Sequence, residues 1–487
     1  MNDFINISLL GIFLRWTVSL FPYSGAGKPP MYGDYEAQRH WQEITVNLPI
    51  KEWYSNSANN DLLYWGLDYP PLTAYHSFLC GLIAKFIEPD FVKLYYSRGY
   101  ESHEHKLFMR YSVLVMDLLI YIPGAFLIAR SNEDMYKCKS GILTCFTALI
   151  LYPGLYLIDY GHFQYNNVSL GLFIIAVACI FRNQDHFSAI FFSLALNYKQ
   201  MELYHALPFF FYLLGKAFRE KTYVYCFKKL VTIGVCVIGT FIICWIPFLT
   251  NIETLQQVVS RIFPVGRGLF EDKVASFWCS ISIFFKLKLM FDNATMAMIC
   301  LIITGILVLP SCIHLLVYPK PNIFKYSLIN IAFIFFLFSF HVHEKSILLV
   351  AIPACLVFSE EPLIVSWFFV ISIFSMLPLL IKDGLLIPAL SFAFLSYFFY
   401  RISSKNDVSK FSFSRMSFCK HIFYFSLIGV ALLSLAMLII PPPARYPDLY
   451  PVLISFYSCM HFCLFCVYFH YCQFSKINYE NIKRKKI

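Results

Sequence analysis

The sequence predicts an all-α, polytopic membrane protein with about fourteen transmembrane helices. Three observations predict it. Of 487 residues, 59% are hydrophobic and only 14% charged, which leaves too little polar surface to cover a soluble domain of this size. Phe (52) and Tyr (33) are abundant, as suits lipid-facing walls and interfacial belts. The apolar residues also gather in runs near the ~20 residues needed to span a bilayer.

Candidate spans fall at 4–22, 111–129, 140–158, 166–181, 186–198, 202–215, 230–249, 295–317, 326–341, 346–358, 363–381, 384–400, 422–440 and 449–472. The first is interrupted by Arg15 and lacks a basic leader or small-residue cleavage site, so it reads as a retained span. Leu72 to Ile87 is apolar but short, and broken by His76 and Lys85. If it does not cross, the basic stretches Arg130–Lys139, Lys216–Lys229, Lys320–Lys325, Arg401–Lys420 and Lys476–Lys486 share one side. That side should be cytosolic. Parity therefore expects an interfacial or re-entrant helix inside one long non-cytosolic loop, 23–109.

The net charge of +10 does not indicate nucleic acid, because the basic residues sit in short loops where they set orientation. The sixteen cysteines have no zinc or disulfide spacing; Cys145, Cys179, Cys244, Cys300 and Cys355 lie inside apolar runs as small hydrophobes. The tail Lys483-Arg484-Lys485-Lys486-Ile487 fits a cytosolic dilysine retrieval signal of the endoplasmic reticulum, or an ordinary basic end. Asn293-Ala294-Thr295 is a glycan acceptor pattern; Asn6 and Asn167 also match but lie too near the membrane.

The same parity sends a different class of segment to the opposite face: GDYEAQRHW (33–41), WGLDYPP (65–71), DYGHFQYNN (159–167), NYKQMELYH (197–205), FPVGRGLFEDK (263–273) and HVHEK (341–345). Ionisable groups at span ends are costly unless they face water or a partner, so these imply a cavity there. Each has an ordinary role open to it. Asp34 can be a helix N-cap, Arg39 and Glu36 a surface pair, and Asp68 a structural residue before the rigid Tyr-Pro-Pro turn. His162, Gln164 and Lys199 can be helix-end groups, although Lys199 could meet a phosphate as a point charge. Arg267, Glu271 and Asp272 can belong to a solvated loop, with Gly266 and Gly268 permitting close backbone approach to a ligand. His341, His343, Glu344 and Lys345 lack a third metal ligand, so no metal site is expected.

Together the strings are more specific than any one alone. YSGAGKPPMYGDYEAQRHWQEIT, WGLDYPPLTAYHS, SRGYES, GHFQYN, GRGLFEDKVASFWC and HVHEKSILL resemble, in order and spacing, the signature blocks of the endoplasmic-reticulum glucosyltransferases that use dolichyl phosphate glucose. The resemblance covers about residues 22–352; beyond about 360 it adds mainly spans. DYEAQRHW with LDYPPLTAYHS resembles the branch that adds the first glucose, in α-1,3 linkage, to the nine-mannose lipid-linked oligosaccharide, rather than its second-glucose paralogue.

The resemblance implies a GT-C glycosyltransferase fold whose first long lumenal loop carries interfacial helices and the catalytic aspartate, here Asp34. It implies a catalytic module over 1–249, and a C-terminal transmembrane module over 250–487 with a lumenal loop at 250–294. It puts Asp68, His343, Arg267, Glu271 and Asp272 at the site; Arg39, His162, Gln164, Lys199, His341 and Lys345 are further substrate-binding candidates. No cofactor is expected besides the donor substrate, and the partners are the lipid-linked donor, the lipid-linked acceptor and the bilayer. A transporter would show inverted repeats and its site carboxylates mid-span; no repeat is found, and the candidate carboxylates Asp34 and Asp68 lie in a long loop. A relative using dolichyl phosphate mannose is disfavoured by the strings themselves.

Overall fold

The structure is a computed structural model and describes residues 2–131, 139–263, 273–403 and 417–484. These residues build helices, with one isolated bridge, Ser57 to Asn60, outside them. Seven described helices are long and apolar enough to cross a bilayer: His103–Ser131, Gly141–Phe163, Tyr223–Phe248, Asn293–Val317, Pro321–Phe338, Cys419–Ile439 and Leu449–Ser475. Asn166–Phe181, Pro362–Ser375 and Leu386–Phe398 are apolar but shorter. Sixteen residues rise roughly 24 Å, against ~30 Å of hydrocarbon. Seven described helices thus have the length of a full crossing, and the fourteen candidates read from hydropathy also take in shorter apolar segments.

Burial sorts the helices into a centre and a rim. Pro321–Phe338 is 78% buried across its apolar window, whereas Tyr223–Phe248 and Cys419–Ile439 are 17% buried. A helix that is apolar all round belongs inside a bundle, and Asn166–Phe181 and Pro362–Ser375 are buried on every face. The rim helices present Ile238, Ile242, Leu432 and Leu435 outward, as lipid contact requires.

The first helix, α1 (Asn2–Ser19), carries Arg15 fully buried. Its Nε donates to Asp117 Oδ2 at 2.8 Å, and Nη1 donates to the carbonyls of Gly11 and Ile150. The charge that interrupts the apolar run is thus paired within the bundle, as an intramembrane arginine must be.

Residues 23–102 and 248–262 form a separate layer with its own apolar core of Trp41, Ile44, Trp53, Tyr54, Leu67, Phe248, Val258 and Ile262. Helix α2 (Asp34–Asn47) packs there on α3 (Pro71–Ile87). Helix α3 is the ambiguous apolar segment; its 17 residues leave it outside the seven. Pro70 caps it and Pro71 begins it, a position where proline loses no hydrogen bond.

Helix α2 is polar yet buried over Tyr35–Thr45. Arg39 explains this. Its Nε and Nη2 donate to the two Glu36 oxygens at 2.8 and 2.6 Å, Nη2 also donates to Glu43 Oε2 at 2.7 Å, and Nη1 donates to Ser97 Oγ. Tyr64 OH donates to Glu36, and the Tyr95 amide to Glu43. Arg39, expected as a substrate contact, is 0% exposed and instead fastens the layer. The i, i+3 and i+4 spacing already aligned these groups on one helix face. Replacing Arg39 by Met leaves two buried carboxylates facing each other and should cost about 3–5 kcal/mol. Thermal unfolding in detergent, followed by size-exclusion profile, measures this; an unchanged midpoint would refute the role.

Candidate active site

Asp34 opens α2, and Gly33, not Asp34, holds the capping position. The aspartate side chain is thereby left for another use. A Cβ on Gly33 would lie 2.3 Å from Ser24 Oγ, and one on Gly25 (φ +73°) 2.1 Å from Gly33 N. Only glycines allow the turn to close this far. Ser24 Oγ then accepts the Asp34 amide at 3.1 Å, while the Ser24 amide donates to the His162 carbonyl at 3.1 Å.

The second wall is helix Gly141–Phe163, whose last turn, Leu157–Phe163, winds as a π-turn. Such turns recur at functional sites. Phe163 ends it at φ +90°, and Tyr32 and Trp65, in neighbouring segments, have φ +59° and +48°. Left-handed bulky residues cost about 1–3 kcal/mol each and persist where packing imposes them.

Three groups converge on Asp34 Oδ2. Lys345 Nζ donates at 2.5 Å, Gln164 Nε2 donates to the same oxygen, and His162 Nε2 lies 3.0 Å away. Among the described residues, Oδ1 has no hydrogen-bond partner. The His162 ring is set by Asp383, whose Oδ2 lies 2.6 Å from Nδ1. Lys199 Nζ donates to Gln164 Oε1 at 3.0 Å and Asn166 Oδ1 at 2.6 Å, and sits 4.9 Å from the Tyr69 ring centroid.

Burial pushes the Asp34 carboxyl up, but Lys345 and His162 together outweigh it and hold it well below its ordinary 3.8. Burial acts against the Lys345 charge, and Asp34 overcomes that, so the ammonium is held above 10.5. At Lys199, burial and the like charge of Lys345 outweigh the carboxylates of Asp159, Asp34 and Glu202 and bring it down to about 8. The arrangement is an ionised carboxylate with one open oxygen beside two cationic side chains. It can take a proton from a hydroxyl on one flank and hold an anion on the other.

A cavity of about 570 Å³ contains these groups, lined by Asp34, Asp68, His162, Gln164, Lys199, His343 and Lys345. Asp68 is positioned by its backbone, whose carbonyl accepts from Gln200 Nε2 at 3.1 Å. Arg39 lies in the packed layer, and His341 lies beside the Phe340 ring, tilted 43° to it, rather than lining the cavity. Arg267, Glu271 and Asp272 lie outside the described residues. Sequence reasoning does not single out Asp383, because its third of the chain reads mainly as spans. One signal could have found it: Lys382-Asp383-Gly384 interrupts the apolar stretch 377–391 between two spans. Arg261, which donates to the carbonyls of Gly66 and Leu67, lines the cavity too. Among the described residues no three His, Cys, Asp or Glu side chains group as a metal site.

A family model described as the ALG6, ALG8 glycosyltransferase family matches residues 11–468. The chain belongs to this family. A Gallus gallus relative, dolichyl pyrophosphate Man9GlcNAc2 alpha-1,3-glucosyltransferase, is 50% identical over 95% of this chain and 94% of its own length. The Drosophila melanogaster protein, carrying that name as probable, is 47% identical over 97% and 99%, and the Arabidopsis thaliana one 41% over 97% and 90%. The family match spans both the layer that carries Asp34 and the later segments that carry Lys345 and Asp383.

Proposed function

We propose that this chain transfers one glucose from dolichyl phosphate glucose to the nine-mannose dolichyl diphosphate oligosaccharide, in one inverting step with Asp34 as base. The chain is an alpha-1,3-glucosyltransferase of lipid-linked oligosaccharide assembly, as near-full-length identity to relatives of that name supports. It is a multi-pass protein of the endoplasmic reticulum membrane. The observation that carries the mechanism is the Asp34 carboxylate, ionised in the cavity wall with Oδ2 held and Oδ1 open.

Inversion of a β-linked donor to an α product needs a single in-line displacement, as in inverting glycosidases with a sugar hydroxyl in place of water. The acceptor oxygen forms its bond to the anomeric carbon, its proton passes to Asp34, and the bond to the phosphate oxygen breaks. Dolichyl phosphate departs with an added negative charge. Lys345, His343 and Lys199 line the cavity to receive it. A carboxylate tied to an ammonium is a weak base, so the order of events matters. A donor phosphate that draws Lys345 away from Asp34 raises the basicity of Asp34 only once donor is bound.

The cations supply the charge stabilisation a divalent ion would otherwise bring, so turnover is expected to survive chelation unchanged. A chelator titration of purified enzyme checks this, and loss reversed by one added metal would refute it. Asp383 acts through His162 as a positioning residue. Asp383→Asn should lower kcat about tenfold with KM for donor little changed, and Asp383→Glu should restore most of it. Equal loss in both variants would mean a merely structural role.

We also place the site at the lumenal face of a GT-C fold with fourteen traversals and a cytosolic C-terminus. Lys216 and Lys229 pair with Asp185 at the start of Asp185–Tyr198, roughly 20 Å of helix from Lys199, so a basic loop stands at the end opposite the site. The test of the reaction is glucosyl transfer from synthetic donor to acceptors carrying nine mannoses with or without one glucose. Product only from the unglucosylated acceptor is expected; preference for the glucosylated one would assign the second step instead.

A further inference from the structure

A second cavity, of about 170 Å³, lies between α1 and the helix His103–Ser131, away from the reaction site. Its walls are Trp16, Leu20, Leu107 and Tyr111, each 40% exposed or more. Apolar residues continue along both helices, with Leu9, Phe13, Val115 and Leu119 outward. Three basic residues line the groove, His103, Lys106 and Arg110, and no carboxylate does.

Arg110 makes this more than an apolar cleft. It is 4% exposed. Nη2 donates to the carbonyls of Gly161 at 3.1 Å and Pro22 at 3.3 Å, while Nε and Nη1 are buried with no partner among the described residues. The Phe163 ring centroid lies 5.5 Å from its guanidinium carbon, and Tyr23, Tyr35 and Tyr160 are near it. A buried guanidinium with two unmet donors and no carboxylate is expensive, and phosphate oxygens meet its geometry. Lys106, at the same end, makes only a long 3.4 Å bond to the Leu20 carbonyl and is free to turn toward an anion.

We propose that the groove between α1 and His103–Ser131 seats one anionic glycerophospholipid, its phosphate held by Arg110, Lys106 and His103 and its acyl chains along the outward apolar faces. The space holds only about six water volumes at ~30 Å³ each, which admits a phosphate but no glycan. The groove shares no lining residue with the reaction cavity, so a sugar seated here could not react. The lipid is therefore resident and not a substrate. Its position has a consequence for catalysis. Arg110 ties Pro22 to Gly161, and two residues further on Ser24 bonds both the His162 carbonyl and the Asp34 amide. A phosphate that fixes Arg110 stiffens the joint between the two walls of the active site.

Native mass spectrometry of the purified full chain tests this, after exchange into detergent with phosphatidate, phosphatidylcholine or a polyprenyl phosphate. One phosphatidate should remain on the wild type, and filling the groove with Leu107→Trp, or removing mouth charge with Lys106→Gln, should each lower occupancy about tenfold. Added phosphatidate should raise glucosyl turnover of the wild type and leave Leu107→Trp unaffected. Equal phosphatidate retention by wild type and Leu107→Trp would overturn the site. Phosphatidylcholine or polyprenyl phosphate held in its place would overturn the occupant.

Discussion

Asp34→Asn should lower glucosyl turnover by about 10³-fold, within the 10²–10⁴ that a positioned general base contributes, while donor affinity changes little. The amide keeps the size of the side chain and can still accept from Lys345 and Gln164 through its oxygen, so the cavity should stand. What disappears is the proton acceptor. The acceptor hydroxyl must then attack while still protonated, and the loss should fall on kcat with KM nearly unchanged. Turnover with synthetic donor and acceptor, beside donor binding by the inactive variant, separates the two quantities. Retained turnover would remove Asp34 from the base role.

Lys345→Gln should be nearly as damaging, at about 10²–10³-fold in kcat, the range for removing one preorganised donor from a developing oxyanion. It also carries a signature in pH. In the wild type the Asp34 carboxyl is held well below 3.8, because Lys345 and His162 outweigh burial. Without Lys345 burial meets less opposition, so the carboxyl titrates at higher pH and the acid limb of the rate profile moves up. The same reasoning fixes the stability window. A depressed carboxyl contributes stability above its ordinary 3.8, lost as pH falls through the lower folded value. A raised ammonium contributes below its ordinary 10.5, lost as pH rises through the higher folded value. The Asp34–Lys345 pair is therefore fully stabilising between those ordinary values. An acid limb that stays in place in Lys345→Gln would show that the lysine does not act on Asp34.

Sequence made the site legible where the chain breaks its own pattern. Asp34, His162, Lys199 and Lys345 are ionisable groups at the ends of apolar runs, a placement too costly to be incidental, and they share one cavity. It failed where polar groups answer one another inside the protein. Arg39 sits in the same short polar block as Asp34, yet its spacing from Glu36 and Glu43 directs it into a buried pair. Only the packing of Ser97 and Tyr64 around them reveals that. Asp383 was hidden for the opposite reason: one acidic residue in an apolar third of the chain, it gains meaning from His162, 221 positions earlier. The fold divides likewise. Hydropathy finds apolar segments, but Asn166–Phe181 and Pro362–Ser375 are enclosed by protein on every face and shorter than a full crossing, so apolarity alone does not separate full from partial crossings.

The most direct measurement is a structure of the enzyme with an unreactive phosphonate analogue of the donor and the nine-mannose acceptor. The attacking hydroxyl should lie about 3 Å from Asp34 Oδ1, on the face of the anomeric carbon opposite the phosphonate, with Lys345 moved onto the phosphonate. A hydroxyl bound to some other carboxylate, with Asp34 still paired to Lys345, would contradict the mechanism.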